Sequence, residues 1–149
     1  MNQYNMNQYQ QNQISTASPE RILLMLYDGA IRFTRRAIQG VEENNFEQRR
    51  VGISKTMAII AEFSNSLNHE VGGKIAEDLD SLYDFMLRQL TGANLDNDIE
   101  KLKVVEKLLM DLRGTWAEAI EINKKEQAGT MIVSHNPNAE NYRPFAVSR

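Results

Sequence analysis

Between Pro19 and Pro137 the chain contains no proline, and over most of that span its apolar residues return at three- and four-residue steps. That spacing gathers side chains on one face of an α-helix, and no stretch shows the sustained alternation of a strand. The pattern opens at Ser18-Pro19. A serine oxygen accepts from the free N–H groups of a first helical turn, and proline at the first position gives up a donor that has no partner there anyway. Glu20 adds negative charge at the positive end of the helix dipole. Before this point lies a polar arm in which Met1-Asn2-Gln3-Tyr4 recurs as Met6-Asn7-Gln8-Tyr9. Such a composition buries too little apolar surface to order itself.

The periodicity predicts four helices. The first runs from Pro19 to about Val41, with Leu23, Leu26, Tyr27, Ala30, Phe33, Thr34, Ala37 and Val41 on one face. Asn45 followed by Gln48 resembles a capping box and opens a second helix to about Leu67, facing inward through Ile53, Met57, Ile60, Ala61, Ser64 and Leu67. Asn68 to Gly73 reads as a turn, because paired glycines interrupt a helical pattern. The third helix is expected from about Lys74 to Leu90, with Ile75, Ala76, Leu79, Leu82, Tyr83, Met86 and Leu90 inward and Thr91-Gly92-Ala93-Asn94 closing it. Asn97 with Glu100 offers another capping box for a fourth helix to about Lys125, facing inward through Ile99, Leu102, Val105, Leu109, Leu112, Trp116 and Ala119. Four such segments joined by short turns read as an all-α antiparallel bundle. The expected organisation is an arm over 1–17, a bundle over 18–125 and a disordered tail over 126–149.

Chemistry finds little footing. There is no cysteine, which removes disulfides, thiol catalysis and thiolate metal sites. A di-iron bundle uses Glu-x-x-His pairs, but Ser66 and Ile132 stand three residues before His69 and His135. His69-Glu70 begins like a zinc-protease motif, yet Gly73 occupies the partner position. No catalytic residue, cofactor or metal is expected. A net charge of -3 argues against nucleic acid, and the group Arg32, Arg35, Arg36, Arg49 and Arg50, interleaved with Glu42, Glu43 and Glu47, reads as a solvated helix face. Without a signal-type or membrane-spanning apolar run, the expected location is the cytoplasm.

What remains is a surplus of apolar side chains. A bundle helix needs roughly a third of its surface apolar. Ile59 and Phe63, then Phe85, then Val104 and Leu108 fall beside their stripes rather than in them. They read either as a wide core face or as a groove for another chain's amphipathic helices. A structural bundle that associates with itself, without a client, is the alternative use of the same strip, and the chain itself is expected as a monomer or homodimer. In the arm, Tyr9 and Ile14 are two apolar anchors on a polar strip.

With these residues laid out, the chain resembles the flagellar secretion chaperone FliS family over roughly Tyr9 to Ile120. Three blocks carry the likeness. The first is Tyr9 and Ile14 with Thr16-Ala17-Ser18-Pro19 and Leu26-Tyr27-Asp28-Gly29-Ala30; the second is Leu67-Asn68-x-Glu70-x-Gly72-Gly73-x-Ile75-Ala76 followed by Leu79-x-x-Leu82-Tyr83, Met86 and Ala93-Asn94. Leu108-Leu109-x-x-Leu112-Arg113-x-x-Trp116 is the third. The resemblance implies a cytoplasmic chaperone, not an enzyme. Its client would be the C-terminal segment of newly made flagellin, which wraps the bundle, is kept from polymerising, and passes to the flagellar type III export apparatus. It also implies an N-terminal segment that occupies part of the client's groove, here Tyr9 and Ile14. The client would then meet Ile59, Phe63, Leu82, Phe85, Val104 and Leu108. The repeated start and the tail after about Lys125 lie outside the family's pattern.

Overall fold

The computed structural model describes residues 17–132. They form four helices: α1 (Pro19–Glu42), α2 (Phe46–Asn65), α3 (His69–Asp96) and α4 (Ile99–Ile132). Connections of two or three residues leave successive helices no choice but to run antiparallel. α1 packs on α2 and α4, and α3 packs on the same two, so the helices close a ring around one core. Two ion pairs fix the α1–α4 register: Arg35 to Glu106 at 2.8 Å and Arg113 to Asp28 at 2.9 Å. As one number rises along α1 the other falls along α4.

Two helix starts form as their sequences dictate. Ser18 Oγ accepts from the Arg21 N–H at 3.2 Å, and Asn45 Oδ1 from the Gln48 N–H at 3.1 Å. Two other boundaries move. α3 begins at His69, because Asn68 Oδ1 accepts from the N–H groups of both Glu70 and Val71. The expected turn survives as a kink at Gly73, whose φ of 51° suits a residue without a side chain. α3 also runs past Gly92 to Asp96, since Ala93 is fully buried and the helix stays packed through that point. Asn97 takes the left-handed position beyond it, at φ 56°. Its side chain therefore does not cap α4. Asn97 Oδ1 accepts from Arg49 Nη1 at 2.7 Å, and Asp98 Oδ1 accepts from the Glu100 N–H in its place. α4 continues through Lys125 to Ile132. A single glycine there, Gly129, costs a helix only about 1 kcal/mol, too little to end it.

The core is built from Tyr27, Ile53, Ile60, Met86, Leu90, Leu102, Val105 and Leu109, all essentially sealed from solvent. Each contributes roughly 1.5–3 kcal/mol by leaving water. Ile31 and Ile38 are buried although they lie off the expected α1 stripe. α1 is gripped from both sides, so a wider arc of it is covered. Ile75, expected inward, is 53 % exposed just beyond the kink.

The α1–α2 seam is the tightest in the ring. A Cβ at Gly52 would lie 2.7 Å from the Phe33 carbonyl oxygen and 2.8 Å from the Ala37 nitrogen. Beside it Thr34 and Thr56 are buried without penalty, since Thr34 Oγ1 donates to the Ala30 carbonyl at 2.7 Å and Thr56 Oγ1 to the Gly52 carbonyl at 2.9 Å. Alanine is the better helix former by about 1 kcal/mol, yet here its methyl meets backbone that cannot swing aside. Gly52→Ala is therefore predicted to lower unfolding free energy by about 1–3 kcal/mol in urea titration, whereas propensity alone would raise it.

Candidate functional site

One residue from each helix meets near the end of the bundle where α1 begins. The rings of Tyr27 and Phe63 stack with centroids 4.3 Å apart, and Phe63 lies 5.7 Å from Tyr83. Trp116 Nε1 donates to Tyr27 Oη at 3.0 Å, and the Tyr27 and Tyr83 hydroxyls are also 3.0 Å apart. Indole nitrogen is a donor only, so the Tyr27 oxygen is its acceptor. Above this cluster opens a cavity of about 350 Å³. Ile22, Leu23 and Leu26 of α1, Leu67, Phe63 and Trp116 line it, with Pro19 at its rim. The first turn of α1 borders this opening.

Phe63 is thus a core residue, 4 % exposed, which corrects its expected place beside the buried stripe of α2. It reaches the surface only as part of the cavity wall. Ile59 is partly buried at a different seam: its Cδ1 sits 3.6 Å from where a Cβ on Gly29 would be, between α1 and α2. Tyr9 and Ile14 lie outside the described residues.

The other four candidates fall along one side of the bundle. A Cβ on Gly92 would stand 2.8 Å from Lys101 Nζ, so those two positions mark the α3 and α4 surfaces that face each other. Phe85 lies seven residues from Gly92 and Leu108 seven from Lys101, two helical turns away on the same faces. Leu82 and Val104 are three and four residues from these, hence neighbours on their helices. Leu82 and Leu108 pack partly into the core, while Phe85 and Val104 are 37 % and 41 % exposed. The result is an apolar strip along the α3–α4 side, half anchored and half open.

Among the described residues no group of three or more His, Asp or Glu could hold a metal ion. No helix there is long and apolar enough to cross a membrane.

The bundle is similar to a solved structure described as a flagellar chaperone from bacteria, with a TM-score of 0.65 at 19 % identity, covering 78 % of this chain and 98 % of that one. The two share one fold. Sequence comparison is more specific. The family described as flagellar protein FliS matches residues 1–123. The flagellar secretion chaperone FliS of Bacillus subtilis is 35 % identical over 122 residues, 82 % of this chain and 90 % of its own length. That of Vibrio cholerae is 38 % identical over 108 residues, 70 % of this chain and 77 % of its own. The chain belongs to the FliS family of flagellar secretion chaperones.

The aromatic cluster has a pH signature. Burial pushes the Tyr27 hydroxyl above its ordinary 10.0, against the pull of its bonds to Tyr83 and Trp116. Burial, reinforced by Tyr27 and Asp80, raises Tyr83 as well. A raised folded-state value means the unfolded chain loses these protons first, so stability is full below pH 10 and falls as pH rises beyond it. Urea midpoints measured from pH 8 to 11.5 should decline above about 10, and less steeply in Tyr83→Phe than in wild type.

Proposed function

We propose that this chain is a cytoplasmic chaperone that holds the C-terminal segment of newly made flagellin and delivers it to the flagellar export apparatus. The observation that carries this reading is the open apolar strip of Leu82, Phe85, Val104 and Leu108 on a member of the secretion-chaperone family. A client segment, disordered alone, folds as an amphipathic helix along α3 and α4 and inserts its apolar residues beside Phe85 and Val104. Each leucine-sized anchor is worth ~1.5–3 kcal/mol, so three or four offset the ~2–5 kcal/mol of ordering the segment. Polymerisation is blocked by competition, because the covered segment is the one that subunits use to pair. Release at the export apparatus needs no bond chemistry, only a stronger competing interaction.

The arm belongs to the same mechanism. We assign Tyr9 and Ile14 the role of an apolar cover for the cavity over Phe63 and Trp116, which the client would displace as it extends beyond the strip. Its position beside Pro19 puts the cavity within reach of a few extended residues, at about 3.3 Å each.

Calorimetry with a flagellin C-terminal fragment tests the strip. Phe85→Asp and Val104→Asp change exposed positions, so the bundle should stay helical while affinity falls about tenfold or more, as expected when a charge replaces an apolar anchor. Undiminished affinity in both variants refutes the strip as the site. Phe63→Asp is unsuitable, because a charge in the core unfolds the bundle.

A separate measurement tests the arm. Deleting residues 1–14 should increase binding of a dye that reports exposed apolar surface, and an Ile14→Asp change in the full chain should do the same. Equal dye binding before and after deletion would mean that the arm covers nothing.

A further inference from the structure

The basic residues of α1 read from sequence as a face balanced by nearby glutamates, and the fold separates the two. Glu43 accepts from Gln39 and Glu47 holds Arg50, both close to the α1–α2 turn. Arg32, Arg36 and Lys55 pair with no carboxylate among the described residues. All three gather around one ring instead. The guanidinium carbons of Arg32 and Arg36 lie 5.3 and 5.9 Å from the centre of Phe33, and Lys55 Nζ lies 5.6 Å from it. The ring face attracts each cation, but the cations repel one another. A carboxylate brought by another chain would relieve that repulsion.

Next to this cluster, between α1 and α4, runs a groove of about 520 Å³. Ile31, Met110 and Gly114 line it together with Arg32, Arg35, Arg113 and one carboxylate, Asp28. Met110 is 47 % exposed and a Cβ at Gly114 would meet nothing within 4 Å, so the groove is open there, over a floor formed by the nearly buried Ile31. Arg35 and Arg113 hold Glu106 and Asp28 across the groove, and Arg35 Nη2 also donates to Met110 Sδ at 3.4 Å, so these two guanidiniums are already engaged. A chain of net charge -3 thus concentrates unpaired positive charge beside one apolar groove.

We propose that this α1–α4 groove is a second docking surface, built for an acidic amphipathic helix of another protein. Its apolar side chains lie over Ile31, Met110 and Gly114, and its carboxylates meet Arg32, Arg36 and Lys55. A helix laid over α1 and α4 seats an apolar side chain between the two ion pairs that cross the groove. The apolar floor and the modest charge favour a polypeptide over nucleic acid, which needs a broader positive surface. Met110 is two residues from Leu108, about 200° around α4, so this groove and the α3–α4 strip face different ways. A client on one leaves the other free, and the inference stands independently of the client's identity.

The full-length chain, labelled with ¹⁵N, is titrated with a helical peptide of about 18 residues carrying leucines at three- and four-residue spacing and glutamates on both flanks. A sister peptide has glutamine at every glutamate. Arg32→Glu combined with Arg36→Glu removes the cations. Gly114→Leu fills the groove with a side chain that has room there, so the bundle is retained. The expected result is amide shifts centred on Arg32, Met110 and Gly114, at least about tenfold tighter binding of the glutamate peptide, weakening with salt, and an about tenfold loss in either variant. Equal binding of the glutamine peptide, shifts confined to α3, unchanged affinity in both variants, or displacement of the peptide by a short single-stranded RNA would each overturn the proposal.

Discussion

The four helices are tied together by a single aromatic cluster to which each contributes one ring. Tyr27, Phe63, Tyr83 and Trp116 combine stacking at 4.3 Å with two hydrogen bonds of 3.0 Å, so the buried polar atoms of three bulky side chains satisfy one another. An apolar substitute for Tyr27, Tyr83 or Trp116 would fill space but leave a donor or acceptor unmatched, at a cost of about 1–3 kcal/mol. The cluster also sets relative helix heights, because its hydrogen bonds tolerate only a few tenths of an ångström. Everything at the arm-proximal end, including the cavity beside Pro19, stands on it.

α1 is the other organising element. It meets α2 backbone to backbone at Gly52 and meets α4 through two ion pairs. Gripped on both sides, it spends its apolar residues, Ile31 and Ile38 included, on the core. Its outward face is left polar and cationic. α3 and α4 leave Phe85 and Val104 on their shared outer surface. The bundle therefore carries two unlike surfaces, one apolar and one basic over an apolar groove. Both are held by rigid helices, so a partner that docks must order itself while the bundle does not, which preserves affinity.

Phe63 and Phe85 show why surface and core could not be separated from sequence. Both read as lying beside the buried stripe of their helix. Phe63 is covered because Tyr27 and Tyr83 close over it from two other helices; Phe85 has no such neighbour among the described residues and remains 37 % exposed. Ile59 was grouped with them by periodicity, yet it packs in another seam, its Cδ1 3.6 Å from where a Cβ on Gly29 would be. Leu82, Val104 and Leu108 share a strip with Phe85 only through the register in which α3 and α4 pair.

By itself, the sequence determined what depends on interactions within about four residues. Those are the four helical periods, the serine and asparagine caps at Ser18 and Asn45, and the interruption at Gly73. Its three motif blocks also sufficed to indicate the family. Tertiary structure alone decided the rest. Asn97 caps the end of α3 and not the start of α4 because Arg49, distant in sequence, takes its side chain. Arg32, Arg36 and Lys55 form one unpaired cluster because α2 brings Lys55 to Phe33 while the glutamates stay near the turn. A helical wheel gives the direction of a side chain; only the neighbouring helix determines whether it meets protein or water.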